Sequence, residues 1–493
     1  MIGGHLPALQ VVVPLLAAPL MLLVRRGIFA WLLAVAVSWT ALAIALALAF
    51  TVRESGPISY AIGNWPPPWG IEYRVDALNS FVLVLVSLVA AIVAPYARAS
   101  VAAELPRDQH YLFFTMYSLC LAGLLGITIT GDAFNLFVFL EISSLSTYVL
   151  IALGRNRRAL LAAYQYLVLG TIGATFYIIG VGLLYLMTGT LNLADLAQRL
   201  REVHEIRPVL AALAFITAGV GLKLALFPLH FWLPNAYTYA PSAITAFLAA
   251  SATKVSVYVL LRFYFLVFGV PLVFGRLAMA EVLIALSVIA VVSASLVAVF
   301  QRDLKRMFAY SSVAQIGYVT LGMGLANQAG LTGAVVHLFN HGLTKGAIFL
   351  LLGGVALRVG ATGLQRVAGL GRTMPLTSFG IVLGGMSLIG IPGTAGFISK
   401  WHLVLGAIEH GYWSLVALIV ASSLIALAYV WRFVETAYFR VPESSAATRN
   451  EAPASMLIPA WIMVGGCVYF GIDTGYVLDG ARHAVEFLLG GVR

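Results

Sequence analysis

Apolar runs of about 20 residues, the length a helix needs to cross a bilayer, recur along this chain with no long polar block between them. No soluble core could hide that much apolar surface, so lipid must be the solvent for most of it. In lipid the backbone has to satisfy its own hydrogen bonds, and a helix does so within each segment. The runs predict fourteen helices, at 6–24, 29–51, 75–97, 110–129, 132–153, 159–188, 208–230, 241–268, 277–300, 306–326, 329–357, 375–409, 413–438 and 454–474. The polar, periodic stretch 191–207 predicts a short helix along the surface. The expected fold is an all-α polytopic membrane protein, a single transmembrane domain over 1–493 with no soluble domain attached.

Charge sets the orientation. The chain is 61% hydrophobic and 10% charged, with a net charge of +10, whereas soluble domains carry roughly 25% charged residues. Basic residues are held on the cytoplasmic side of membrane proteins, which explains the excess without a nucleic-acid partner. Alternate loops carry Arg25 and Arg26, Arg98 and Arg107, and Arg155, Arg157 and Arg158. The same set continues with Arg302, Lys305 and Arg306, then Arg358, Arg366 and Arg372, then Arg440 and Arg449. That set is expected to be cytoplasmic, which places both termini outside and requires an even number of helices. No charged segment precedes the first apolar run, so that run reads as a retained helix and not a cleaved signal. Cys120 and Cys467 lie in apolar runs and make no metal motif. No Walker motif, dinucleotide fingerprint or haem or iron–sulfur cysteine set is present, so neither a cofactor nor a metal is expected.

The chain has 24 arginines but only five lysines, and Lys223, Lys254, Lys345 and Lys400 lie within or beside apolar spans. A charge at the bilayer centre costs about 2.5–3.5 kcal/mol, so four unpaired ones would cost on the order of 10 kcal/mol. Residues held there usually face a bundle interior and mark an ion or proton path. Arginine keeps its proton under almost any condition, whereas a buried lysine can release one. The blander alternative is amines that snorkel to the interface or pair statically.

Glu141 is the natural partner for one of them. It stands about nine residues into the fifth span, roughly 14 Å along a helix and near mid-membrane. An ion pair with Lys223 at about 4 Å would be worth on the order of 4 kcal/mol. Making or breaking it could switch Lys223 between holding and releasing a proton; a fixed structural bridge is the alternative. In the eleventh span His337, His341 and Lys345 are spaced four and four, which puts them on one helix face. Helix breakers accompany the lysines: Pro228 and Pro234 bracket His230 after Lys223, and Pro392 and Gly393 precede Lys400. Such breaks survive in lipid where they line a wet cavity or are buried in protein. Broken helices in the two halves, here the seventh and twelfth, point to an inverted-repeat transporter, although a simple kink would look the same. Among weaker candidates, Asp132 would cap the fifth helix and Arg432 would pair with Glu435. His110, His402 and Glu409 read as residues of span ends, and Gly384-Gly385 as close helix packing.

Taken together these segments resemble the antiporter-like membrane subunits shared by Mrp-type cation/proton antiporters, respiratory complex I and membrane-bound hydrogenases. The resemblance covers nearly the whole chain. It is carried by Gly131 to Glu141, by Lys223, Pro228 and His230 through Pro241, by the Lys254 span, by the His337–Lys345 face, and by Gly390-Ile391-Pro392-Gly393 through Lys400. The run Phe134 to Phe139 before the glutamate is similar to the D-type member of the Mrp antiporters, and Lys400 differs from the complex I member that has glutamate there.

The resemblance implies two inverted five-helix repeats, helices 4–8 over 110–268 and helices 9–13 over 277–438. Helices 1–3 would precede them over 1–109, and helix 14 with a tail would follow over 454–493. It also implies that Glu141 and Lys223 form a switch pair, that Lys254 links the halves, that His337 and His341 continue the axis, and that Lys400 is the terminal proton site. The expected protein is no enzyme itself. It is a proton-translocating subunit of a sodium or other monovalent cation/proton antiporter in a bacterial inner membrane, working with further membrane subunits. A redox-driven pump module of complex I (NADH-quinone oxidoreductase) or a hydrogenase, and an independent permease, are the alternatives.

Overall fold

Twelve helical stretches among the described residues are long and apolar enough to cross a membrane. They belong to a multi-pass helical bundle, described here over residues 2–441 and 449–490 of a computed structural model. Three N-terminal helices, α1 (Leu6–Val24), α2 (Gly27–Ser55) and α3 (Ala77–Glu104), come first. Between α2 and α3 lies a hairpin of β1 (Ile58–Ala61) and β2 (Glu72–Val75), antiparallel with Ile58 opposite Val75. Next come α4 (His110–Ile129), α5 (Ala133–Ala152), α6 (Arg158–Thr188), the short α7 (Leu193–Arg199) and α8 (Ile206–Leu224). The middle of the chain holds α9 (Trp232–Tyr239), α10 (Ser242–Ala250), α11 (Ala252–Leu261), α12 (Met279–Val299), α13 (Leu304–Leu325) and α14 (Gln328–Val359). The one-turn α15 (Leu370–Thr373) precedes α16 (Pro375–Ile389), α17 (Ala395–Glu409), α18 (Trp413–Val434), α19 (Ala454–Ile472) and α20 (Gly475–Gly490).

Side-chain caps fix where several helices begin. The Asp76 carboxylate accepts from the backbone N–H groups of Leu78 and Asn79, and Asp132 accepts from that of Asn135. Asp303 accepts from Arg306 and Asn327 from Gly330. Each such cap is worth about 1 kcal/mol. The helix α14 is buried on every side from Gly330 to Val355 and forms the hub of the bundle, with His337, Asn340, His341 and Lys345 enclosed among its apolar residues. Gly384 and Gly385 let α16 lie close to two neighbours: a Cβ on either would come within 2.7 Å of Ile348 or Val430 respectively.

Contacts between loops sort the ends of the bundle into two groups. At one end Arg98 lies 4.7 Å over the Trp31 ring, Arg158 donates to Tyr239, Arg306 to Asn235 and Arg432 to the Gln301 carbonyl. At the other end β2 bridges to Thr130, Asn192 donates to Glu72 and Arg262 pairs with Asp76. The arginine-bearing loops thus share one end and the β-hairpin marks the opposite one.

Several sequence expectations change. The predicted helix 208–230 stops at Leu224, and 375–409 is interrupted between Ile389 and Ala395. The predicted helix 241–268 breaks at Ser251, whose φ of −125° leaves the helical region, and it ends in a π-helical stretch, Arg262–Val267. The hairpin and the amphipathic α20 have no counterpart in the hydrophobic runs, because both are short or half polar. Lys305, grouped above with loop arginines, is buried and donates to Ser242. Arg432 takes the Gln301 carbonyl, so Glu435 pairs with Arg440 instead. Residues 491–493 of the expected C-terminal tail lie outside the described residues.

Candidate functional site

The first cluster forms where α5 meets the end of α8. Ala225 adopts a left-handed conformation (φ 61°) and stops α8, so Lys223 occupies its last turn. The Lys223 ammonium donates to Ser144 Oγ at 2.5 Å and to the Tyr148 hydroxyl at 3.5 Å. Glu141 Oε1 lies 3.8 Å from it, an ion-pair distance too long for a hydrogen bond. That oxygen is buried and has no hydrogen-bonding partner in the protein. The pair is therefore in contact without being locked. Glu141, Ser144 and Tyr148 follow a +3, +7 spacing, one face of α5. Sequence reasoning found the glutamate and missed the other two, although that spacing was visible. Around them Tyr148 packs edge-on to Tyr166, which stacks on Trp232 at 3.8 Å.

The break after Lys223 holds a cis Phe227–Pro228 bond. Trp232 Nε1 donates to the Leu222 carbonyl, which satisfies one acceptor at the helix end. His230 lies between the rings of Phe227 and Phe231, with Nδ1 unpartnered. No contact joins His230 to Lys223 among the described residues. A crevice too narrow for water, lined by Gly219, Lys223 and Ser256 among others, lies between α8 and α11.

The second cluster forms at the Ser251 break. It leaves the Ala249 carbonyl at the end of α10 available, and the buried Lys254 ammonium donates to it and to Thr253 Oγ1 at 3.4 Å. On the facing side, a Cβ on Gly342 of α14 would come within 3.0 Å of the Ala250 carbonyl.

Along α14, His337 and His341 stack with centroids 5.6 Å apart and planes 12° from parallel. His337 Nδ1 is 2.7 Å from Ser399 Oγ, and Nε2 of both rings is buried without a protein partner. Lys345 shares the stripe, but its amine turns to α13, donating to the Phe308 carbonyl at 2.7 Å and to Ser311 Oγ. The third cluster closes the row. Lys400 donates to the carbonyls of Leu388 (3.0 Å) and Ile389 (2.9 Å) and to Ser423 Oγ (3.0 Å). Those carbonyls are the negative end of α16, which favours a cation. Gly390, at φ 86°, ends α16 beside the lysine stem, where a Cβ would stand 2.9 Å from Lys400 Cδ. Pro392 and Gly393 lie in the turn that follows. The Tyr318 ring sits 4.7 Å under the Lys400 ammonium and 5.9 Å from the His337 ring.

Buried polar atoms without a protein partner are costly and uncommon. Here Glu141 Oε1, Gln315 Oε1, His337 Nε2, Asn340 Oδ1 and His341 Nε2 are all of that kind. They lie on the elements that carry the lysines or pack against them. Three of those lysine amines take backbone carbonyls, two of them at helix interruptions. The weaker candidates stand apart: His110 bonds the Leu105 carbonyl, His402 the Ile398 carbonyl, and Glu409 accepts from Asn327. Asp132, outside the spans, caps α5; burial raises its pKa against the lowering effect of its backbone donors.

Comparison with known proteins follows the same lines. A family model described as NADH:quinone oxidoreductase/Mrp antiporter, TM, matches residues 130–426. The chain is 44% identical to the N subunit of NADH-quinone oxidoreductase from Desulforudis audaxviator (strain MP104C), over 97% of both sequences. It is 32% identical to the D subunit of the Na(+)/H(+) antiporter from Alkalihalophilus pseudofirmus, over 87% of this chain and 86% of the relative. A chain of the Mrp complex from Dietzia sp. DQ12-45-1b superposes with a TM-score of 0.89 at 25% identity, covering 99% of this chain and 98% of that one.

Proposed function

Because the chain belongs to the NADH:quinone oxidoreductase/Mrp antiporter transmembrane family, we propose that it carries protons along the row Glu141, Lys223, Lys254, His341, His337 and Lys400. It is an antiporter-like, multi-pass membrane subunit of the Mrp or complex I type, and its partners are other membrane subunits. One observation carries the mechanism: Glu141 touches the Lys223 ammonium at 3.8 Å without hydrogen-bonding it. At that separation the attraction is about 4 kcal/mol with an effective dielectric near 20. A small approach of Glu141 makes Lys223 hold its proton, and a small retreat makes it give the proton up. Water bridges the unpartnered histidine nitrogens, and the proton passes from Lys254 to the stacked rings and on to Lys400. His230 borders the break, and Lys345 lies one turn beyond His341 on the same stripe of α14.

Fourteen crossings are supported if α13 and the interrupted α16–α17 pair are counted with the twelve long spans. Two inverted repeats, helices 4–8 and 9–13, are supported by a mirrored detail. Asp132 caps α5 while Ala133 N donates to Leu191 O and Leu193 N to Gly131 O, both at 2.8 Å. Asp303 caps α13 while Leu304 N donates to Thr362 O and Leu364 N to Arg302 O, both at 2.8 Å. The first set lies at the hairpin end and the second at the arginine end. With the arginine end cytoplasmic in a bacterial inner membrane, both termini face outward, and Lys400 is the end of the row from which protons leave, or at which they enter when they run inward.

The host complex is the finer question. An Mrp-type antiporter exchanging protons for sodium or another monovalent cation is the first reading, supported by the Alkalihalophilus antiporter relative and the Dietzia superposition. The higher identity and coverage of the Desulforudis relative favour a quinone-reductase assembly as the second. Purification from native membranes separates them. Small Mrp-type membrane subunits travelling with the chain support the first, and iron–sulfur subunits support the second. The switch itself is tested with Lys223→Ala and Glu141→Ala in the assembled complex, reading proton and sodium flux in vesicles. Each is expected to lose flux, and normal flux in both removes the switch.

A further inference from the structure

Lys254, Tyr258 and Arg262 are spaced by four, so they share one face of the helix from the Ser251 break toward the hairpin end. Eight residues span about 12 Å, and the stripe leads from the middle of the row straight toward the outer surface. Beyond Arg262 a cavity of about 20 Å3, room for one water, is lined by Glu72, Arg74, Thr130, Gly131 and Arg262 among others. Were this stripe open, a proton on Lys254 would leave along it without crossing the histidines or Lys400.

That way is shut by hydrogen bonding and by charge. The Tyr258 hydroxyl donates to the Thr128 carbonyl at 2.9 Å and accepts from Arg262 Nε (3.2 Å) and Nη2 (3.0 Å). Its donor and both acceptor positions are taken, so it has none left with which to relay a proton. Arg262 is itself buried, and its Nη1 donates to Asp76 Oδ2 at 2.6 Å. Asp76 Oδ1 accepts from the N–H groups of Leu78 and Asn79, so this carboxylate is occupied as well. A guanidinium keeps its charge in proteins, and a fixed arginine in a pore repels protons. The contrast with Glu141 and Lys223 is direct: one ion pair is locked at 2.6 Å, the other is loose at 3.8 Å.

We propose that Arg262, held by Asp76 and Tyr258, is a leak barrier that closes the outward branch from Lys254 and forces protons across to Lys400. The proposal rests on the proton row described above. Its test is the passive proton leak of proteoliposomes holding the assembled complex, with no driving reaction. Arg262→Gln is expected to raise the leak about tenfold or more, the change produced by lowering a barrier by about 1.4 kcal/mol. Adding Lys254→Met to it is expected to return the leak to the native level, because the branch starts at Lys254. A tight Arg262→Gln complex overturns the barrier, and so does a leak that persists when Lys254→Met is added. Should Arg262→Gln fail to assemble with Asp76 left unpaired, the neutral combination Asp76→Asn with Arg262→Gln carries the same expectations. Driven flux in Lys254→Met alone separates the two ideas. Native driven flux there sinks the row itself. Lost driven flux beside a tight Arg262→Gln sinks the barrier only.

Discussion

At the scale of single residues, the site depends on how firmly each ammonium is held. Lys400 has three oxygen acceptors within 3.0 Å, whereas Lys223 has one short partner, Ser144, and two distant ones. A hydrogen bond to a charged group is worth about 1.5–3 kcal/mol. Ser144→Ala therefore leaves Lys223 leaning on Glu141 and the distant Tyr148 hydroxyl, and driven proton flux in vesicles is expected to fall about tenfold, with assembly unchanged. Flux within a factor of about two of native would remove Ser144 from the switch. The lysines were legible in the sequence because charge in an apolar run is conspicuous. Ser144 and Tyr148 were not, since a hydroxyl in a membrane helix commonly bonds its own backbone, as Ser146 does here. His230 was legible as a titratable group but not as a ring stacked with Phe227 and Phe231.

Helix interruptions govern the next scale. Proline and glycine announced the breaks after Leu224 and Ile389. The break at Ser251 carries neither, so the sequence read one continuous helix there. Its signal was the buried Lys254 alone, whose ammonium takes the carbonyl the break leaves free. Gly390 shows how tightly an interruption and its lysine are built together. A side chain at its φ of 86° is strained, and a Cβ would press on the Lys400 stem at 2.9 Å. Gly390→Ala should cost about 1–2 kcal/mol of stability and displace the lysine from the α16 carbonyls. Thermal unfolding in detergent and proton flux should both fall. Unchanged values in both would contradict the geometry at this break.

Across the whole molecule, length and hydropathy gave the order of the long helices, and the arginines gave the sorting of loops to one end. The hairpin and α20 are short or half polar, and the Asp76–Arg262 pair joins residues far apart in sequence, which periodicity does not reach. Arg262 stands 186 residues from its partner. The mirrored caps at Asp132 and Asp303 make a prediction at this scale. Asp132→Ala and Asp303→Ala should each lower the apparent melting temperature by a similar amount, near 1 kcal/mol of capping. A large loss from one and none from the other would speak against equivalent repeats. At the centre of the proposed mechanism is passage of protons by way of amines sealed inside the bundle. Driven proton flux in proteoliposomes of the assembled complex carrying Lys400→Met tests this most directly, because methionine keeps the unbranched stem and removes only the proton carrier. Flux is expected to fall to the level of protein-free vesicles while the complex stays intact; native flux from an intact Lys400→Met complex would contradict conduction through the buried amines.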